Sequence, residues 1–190
     1  MKFFSKKMML IGSAVAVSIA ANNVMANGGD INLEGGVTAT TCTVAVNNQV
    51  GTALVKLPVV SSVLLNAPAK VAGRTALNFT LSGCTIGKTA DGTKDVSSAT
   101  VYFLPGPNIN DAGRLNNAES ASSNVDLQFL NKNMAVMNLA MGAGDQGALP
   151  ESISATPGVT TIRQYVQYYA TAPALAGSVK ANIEYQMDYQ

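Results

Sequence analysis

The sequence predicts one all-β domain of the sandwich kind. Apolar residues recur at period two far more often than at the 3.6 spacing of a helix, and turn-forming residues interrupt the runs at short intervals. No segment carries a sustained helical pattern, and no internal repeat is present.

The first 26 residues read as a delivery signal. Met1 to Lys7 holds three lysines (Lys2, Lys6, Lys7), Met8 to Ala21 is apolar, and Val24-Met25-Ala26 has the small residues that a signal peptidase accepts. A retained membrane anchor is the alternative, but the apolar run is shorter than the ~20 residues a bilayer span needs. No later segment is apolar enough to span, so no membrane span is expected in the mature chain. Removal of the signal leaves 164 of 190 residues, enough for one domain with a sizeable core.

The whole chain carries 12 basic and 11 acidic residues, and losing three lysines with the signal brings the net charge near −2. Nucleic acid and anionic membranes demand clustered cations, so neither is the expected partner. Only 12% of residues are charged, which suits a protein packed against neighbours.

The strands follow in order. Ile31, Leu33, Gly35 and Val37 alternate with Asn32, Glu34 and Gly36. After Cys42 come Val44 and Val46, an Asn47-Asn48 turn, and a short run through Leu54 and Leu57 to Pro58. Residues 59 to 69 suit a turn or a short helical crossing. Leu77, Phe79 and Leu81 alternate up to Cys84, and a polar loop from Gly87 to Asp95 follows. Val101 and Phe103 form a strand stopped at Pro105-Gly106-Pro107, and Val125, Leu127 and Phe129 form another, with Met134 and Val136 continuing beyond a break at Asn131-Lys132-Asn133. Ile162 to Ala170 and Val179 to Tyr189 close the chain.

Exported cysteines meet oxidising conditions, so Cys42 and Cys84 are expected to bridge. On the chain-entropy account, a loop of that length stabilises the fold by about 4 kcal/mol. A metal pair is the rival, and two cysteines without any histidine cannot complete an ordinary tetrahedral site.

Other motifs read more plainly than they look. Gly142-Ala143-Gly144-Asp145-Gln146-Gly147 has the spacing of a dinucleotide loop, but Ala148-Leu149-Pro150 follows it where a helix is needed, so a flexible loop between strands is expected. The sequon Asn78-Phe79-Thr80 lies mid-strand with Phe79 facing inward. The chain has no histidine and no G-x-S-x-G elbow, and its carboxylates (Glu34, Glu119, Asp126, Glu151, Glu184, Asp188) share no spacing. No enzyme, cofactor or metal site is expected.

The last strand is the sharpest feature. Val179, Ala181, Ile183, Tyr185, Met187 and Tyr189 occupy every second position, with Lys180, Asn182, Glu184, Gln186 and Asp188 between them. Gly177 stands just before the run.

Together with the Asn27-Gly28-Gly29 start, the two cysteines, Tyr168-Tyr169-Ala170-Thr171 and the penultimate Tyr189, this pattern resembles the major subunits of Gram-negative chaperone-usher fimbriae, in the type 1 and F17-like group. The resemblance spans the mature chain. It implies an immunoglobulin-like β-sandwich lacking its final strand, completed by a donor strand from a neighbouring subunit or a chaperone. It further implies three segments: signal peptide 1–26, N-terminal donor-strand extension 27–40 and pilin domain 41–190. Ile31, Leu33, Gly35 and Val37 are then the donor, and Gly177, Val179, Ala181, Ile183, Tyr185, Met187 and Tyr189 the groove and chaperone-recognition strand. The implied partners are identical or homologous pilin subunits, a periplasmic chaperone and an outer-membrane usher. The implied destination is a fimbria on the cell surface, reached through the periplasm and supporting adhesion. A minor pilin or glycan-binding module is the alternative, using loops 105–114 or 142–150, although tryptophan is absent.

Overall fold

A computed structural model describes residues 35–89, 91–119, 123–155 and 158–190. The signal segment and the donor residues Ile31 and Leu33 lie outside the described residues. Strand β1 (Thr41–Val46) turns at Asn47 and Asn48, whose φ values of 46° and 66° suit the tight hairpin that right-twisted strands prefer, into the two-residue β2 (Gln49–Val50). The Asn47 side chain holds the turn down. Its Nδ2 donates to Ala76 O at 3.1 Å, and Asn78 N–H donates to its Oδ1 at 2.9 Å.

Residues 59–69 contain one short 3₁₀ turn, Ser62–Leu65, capped by the Ser61 hydroxyl, and Leu65 is its buried residue. Strand β3 (Val71–Thr85) is longer than its apolar stretch suggests, because its first residues kink at Gly73. Gly73 has φ of 66°, and a Cβ there would stand 2.7 Å from the Tyr168 ring. Only glycine fits the bulge. Strands β4 (Ser98–Phe103), β5 (Val125–Leu130), β6 (Glu151–Ser152), β7 (Val159–Ala170) and β8 (Tyr185–Tyr189) complete the order.

Two antiparallel sheets result. One runs β2-β1-β3-β7-β5 and the other β6-β4-β8. Period-two residues of both meet in the core: Leu77, Phe79 and Leu81 from β3, Val101 and Phe103 from β4, Phe129 from β5, and Ile162 and Val166 from β7. Edge-on aromatic contacts stitch the layers, Phe79 to Phe103 at 6.2 Å and Phe103 to Phe129 at 4.8 Å between ring centroids. Cys42 and Cys84 form a disulfide joining β1 to β3.

Three expectations are corrected. The break at Asn131 to Asn133 is a turn, but Met134 and Val136 do not continue β5 inward: the chain folds back there, with Met134 at φ of 64°, so both are exposed and Met137 reaches the core instead. The 142–147 segment is pinned. Gln146 is buried, its Nε2 donating to Phe103 O at 2.7 Å and Leu139 O at 3.1 Å, while Phe103 N–H donates to its Oε1 at 3.0 Å. In the run after β2, Leu54 points outward, and Ala53, Val55 and Leu57 pack against the core.

Candidate functional site: the open edge of the second sheet

A sheet edge exposes unpaired backbone groups, so each edge needs an account. The outer side of β5 is covered. Leu115 exchanges backbone hydrogen bonds with Leu127 at 2.9 and 2.8 Å, and Met137 N–H donates to Phe129 O at 2.9 Å. Arg114 locks this cover, its Nε lying 2.9 Å from Asp126 Oδ2 and its guanidinium 4.1 Å from the centroid of the Tyr169 ring. Strands β2 and β6 are edges only two residues long.

A longer edge among the described residues is that of β8 and the extended chain leading into it. Ser98 and Gln190 exchange both backbone hydrogen bonds at 2.9 Å, and Leu104 N–H donates to Glu184 O at 2.9 Å. In an antiparallel ladder bonded pairs alternate, so the even-numbered residues face β4. The same parity runs upstream. Ala118 N–H donates to Lys180 O at 2.8 Å, and Lys180 N–H to Asn117 Oδ1 at 3.0 Å. The N–H and C=O groups of Val179, Ala181, Ile183, Tyr185, Met187 and Tyr189 therefore point to the other side, where no strand stands among the described residues.

The side chains of these six residues pack against the core yet stay half-buried, whereas the β4 residues beside them, Ala99 and Val101, are 0% exposed. Lys180, Asn182, Glu184 and Gln186 are exposed, and Asp188 is half-buried. Tyr185 meets Phe79 edge-on at 5.1 Å. Burial pushes the phenols of Tyr185 and Tyr189 above their ordinary value, and a backbone hydrogen bond from Cys42 pulls Tyr189 partly back.

Across from β8 lies a second rim that sequence reading missed. Ala53, Val55 and Leu57 are half-buried at period two, and Leu54 exchanges hydrogen bonds with the Gln49 side chain, both at 3.1 Å. Backbone groups alternate sides along an extended chain, so those of Ala53 and Val55 turn away from Gln49. The signal was present as Ala53, Val55 and Leu57 in alternation, but Leu54 beside them obscured it. At one end the two rims meet in a cleft of about 410 Å³ lined by Leu57, Val60, Leu65, Tyr168, Gly177 and Val179. The Tyr168 hydroxyl donates to Pro58 O at 3.2 Å and holds the rim there. A Cβ at Gly177 would find only Ser123 Cβ, at 4.0 Å, so the fold itself does not demand glycine at that position.

Of the donor residues, Gly35 and Val37 are described. A Cβ on Gly35 would meet nothing within 4 Å, and Val37 is 98% exposed. Loop 105–114 borders a smaller cleft of about 200 Å³, where Asn108 Nδ2 donates to Asn182 Oδ1 at 3.1 Å.

An F17 fimbrial protein of Escherichia coli is 33% identical over 187 residues, covering 97% of this chain and 99% of its own length. This chain belongs to the fimbrial-subunit family. The major fimbrial subunit SMF-1 of Stenotrophomonas maltophilia is 35% identical over 179 residues, covering 92% and 98%. No family model matches the sequence. Among solved structures, the P pilus rod subunit PapA superposes with a TM-score of 0.57 at 15% identity, covering 78% of this chain and 99% of that one. A chaperone-usher pilus studied for rod uncoiling gives 0.55 at 17% identity, covering 90% and 100%. These two likenesses speak for the fold: the fimbrial subunit is an immunoglobulin-like sandwich without its final strand. Its place is a pilus at the cell surface. No helix among the described residues is long and apolar enough to cross a membrane.

Proposed function

We propose that this fimbrial subunit is a shaft pilin, polymerising head to tail by donor-strand exchange into a fibre that serves adhesion. The observation that carries the reading is the β8 edge, where one strand leaves backbone groups unpaired and six apolar side chains incompletely covered. Such an edge invites a strand from another chain. In this reading the groove strand is Gly177 to Tyr189, and the occupant is segment 27–40 of the next subunit, with Ile31, Leu33 and Val37 as plugs and Gly35 at a shallow point. Each large plug contributes ~1.5 to 3 kcal/mol when fully buried. The exposure of Val37 supports the reading, because a residue without contacts in its own domain is free to make them elsewhere.

A periplasmic chaperone shields the same edge before assembly, and an outer-membrane usher is the place of exchange. Partners are further copies of this chain or its homologues. The function is mechanical and not enzymatic.

The test is deletion of residues 27–40. The truncated chain should stay monomeric, still bind the chaperone, and be stabilised by a synthetic peptide of residues 27–40. Fibres assembled from the truncated chain would refute the mechanism.

A further inference from the structure

The root of the donor segment is built with more care than a tether needs. Within three residues the chain passes from Val37, 98% exposed, to Thr40, 4% exposed. Gly87 N–H donates to Thr40 Oγ1 at 2.8 Å, Thr40 N–H donates to Thr38 Oγ1 at 3.2 Å, and the two threonine hydroxyls lie 3.1 Å apart. The Thr38 hydroxyl and the backbone of residues 39 and 40 press so closely on Gly87 that an added Cβ would stand 2.8 Å from Thr38 Oγ1, 2.9 Å from Thr40 N and 3.0 Å from Ala39 N. Gly87 has no positive φ, so its glycine is explained by this close approach and not by backbone conformation.

Neither side of the contact can easily give way. Thr41 pairs with Thr85, the Cys42–Cys84 disulfide sits next along, and Gly87 O accepts from the N–H of the buried Val96 at 2.9 Å. Two side chains and one missing side chain thus fix the position of residues 38–40 on a covalently stapled base.

We propose that Thr38, Thr40 and Gly87 form a clamp that sets the direction in which the donor segment leaves the sandwich, and so sets the angle between successive subunits of the fibre. The inference rests on the donor-strand reading above. If Val37 is seated in the neighbouring subunit, residues 38 and 39 are the only links between that groove and the clamped Thr40. A fixed exit transmits the orientation of one subunit to the next, whereas a released exit lets the joint swivel.

The experiment uses full-length Gly87→Ala, which forces residues 38–40 away, and Thr40→Val, which keeps the shape but removes the acceptor for Gly87 N–H. Fibres of each are compared with wild type by electron microscopy, and peptide 27–40 is titrated onto each monomer. None of Thr38, Thr40 and Gly87 is among the residues assigned to the receiving strand, so peptide capture should be unchanged. Subunit twist should shift, and persistence length should fall about twofold or more as the exit is freed. Wild-type twist and stiffness in both variants, or no fibres from either, overturns the clamp. Loss of peptide capture also overturns it, since the clamp would then act on the groove. Fibres from the chain lacking residues 27–40 sink the donor-strand reading instead, so the two failures are told apart.

Discussion

Two glutamines three positions apart on β7 should respond in opposite directions to the same substitution. Gln164 is 1% exposed and alternates with Ile162 and Val166, so it faces the core, yet neither its Oε1 nor its Nε2 has a hydrogen-bond partner among the described residues. Gln167, also buried, faces the opposite side of the sheet, where its Oε1 accepts from Arg74 Nε at 3.0 Å and its Nε2 donates to Gln128 Oε1 at 2.8 Å. An amide buried without partners costs about 1–3 kcal/mol, and methionine fills a similar volume without polar atoms. Gln164→Met should therefore stabilise the fold by about 1–3 kcal/mol, raising the melting temperature by roughly 2 to 10 °C in a domain of this size. Gln167→Met should destabilise by about 1–3 kcal/mol, because it takes the partner from Arg74 Nε and from Gln128 Oε1. Guanidinium unfolding of peptide-saturated protein measures both with the edge in the same state, and unchanged slopes show that only stability moved. A Gln164→Met variant less stable than wild type would refute the reasoning, since it would mean that the amide finds a partner, such as a buried water.

Other consequences are equally direct. Arg114→Ala should cost about 1–3 kcal/mol in the same assay, because it leaves the buried Asp126 carboxylate with the Asn110 Nδ2 hydrogen bond at 3.0 Å in place of an ion pair and loosens the cover over β5. Replacing Cys42 and Cys84 together by serine should cost about 4 kcal/mol, since the bridge closes a long loop, and this is measured by denaturant unfolding under non-reducing conditions. The Thr89 hydroxyl, then the Thr93 hydroxyl and N–H, hold the Asp91 carboxyl down at about 2 from its ordinary 3.8. A depressed carboxyl favours the folded loop above pH 3.8 and loses that effect as pH falls through about 2, so an NMR titration should place the Asp91 midpoint near 2 and Thr89→Val should raise it.

Legibility in the sequence followed burial. Val179 to Tyr189 and Leu77 to Leu81 could be read because one face of each lies on the core, which forces a period of two. Beyond that, local pattern loses information. Strand β6 is two residues long, too short for any period, and the Arg114–Asp126 pair forms because the 105–119 segment folds back beside β5. Gln146 looked like part of a flexible loop because nothing in its neighbours reveals that its amide caps the end of β4. The change of phase from Val136 to Met137 depends on one left-handed residue, Met134, whose side chain gives no hint of it. For the open edge, its inward-facing residues were legible, but the opposing rim at Ala53 to Leu57 was not. That rim has no ladder partner among the described residues to impose a clean alternation.

The cover over β5 has a consequence for the shape of whatever this protein builds. If β5 were as bare as β8, each molecule would carry two receiving sites, and a population of such molecules would branch into networks. On the donor-strand reading proposed above, with β5 closed by Leu115 and Met137 and with β2 and β6 only two residues long, a subunit would have a valence of one receiver and one donor. Units of that valence join only into unbranched threads, whose length is set by supply and by whatever terminates the last free edge.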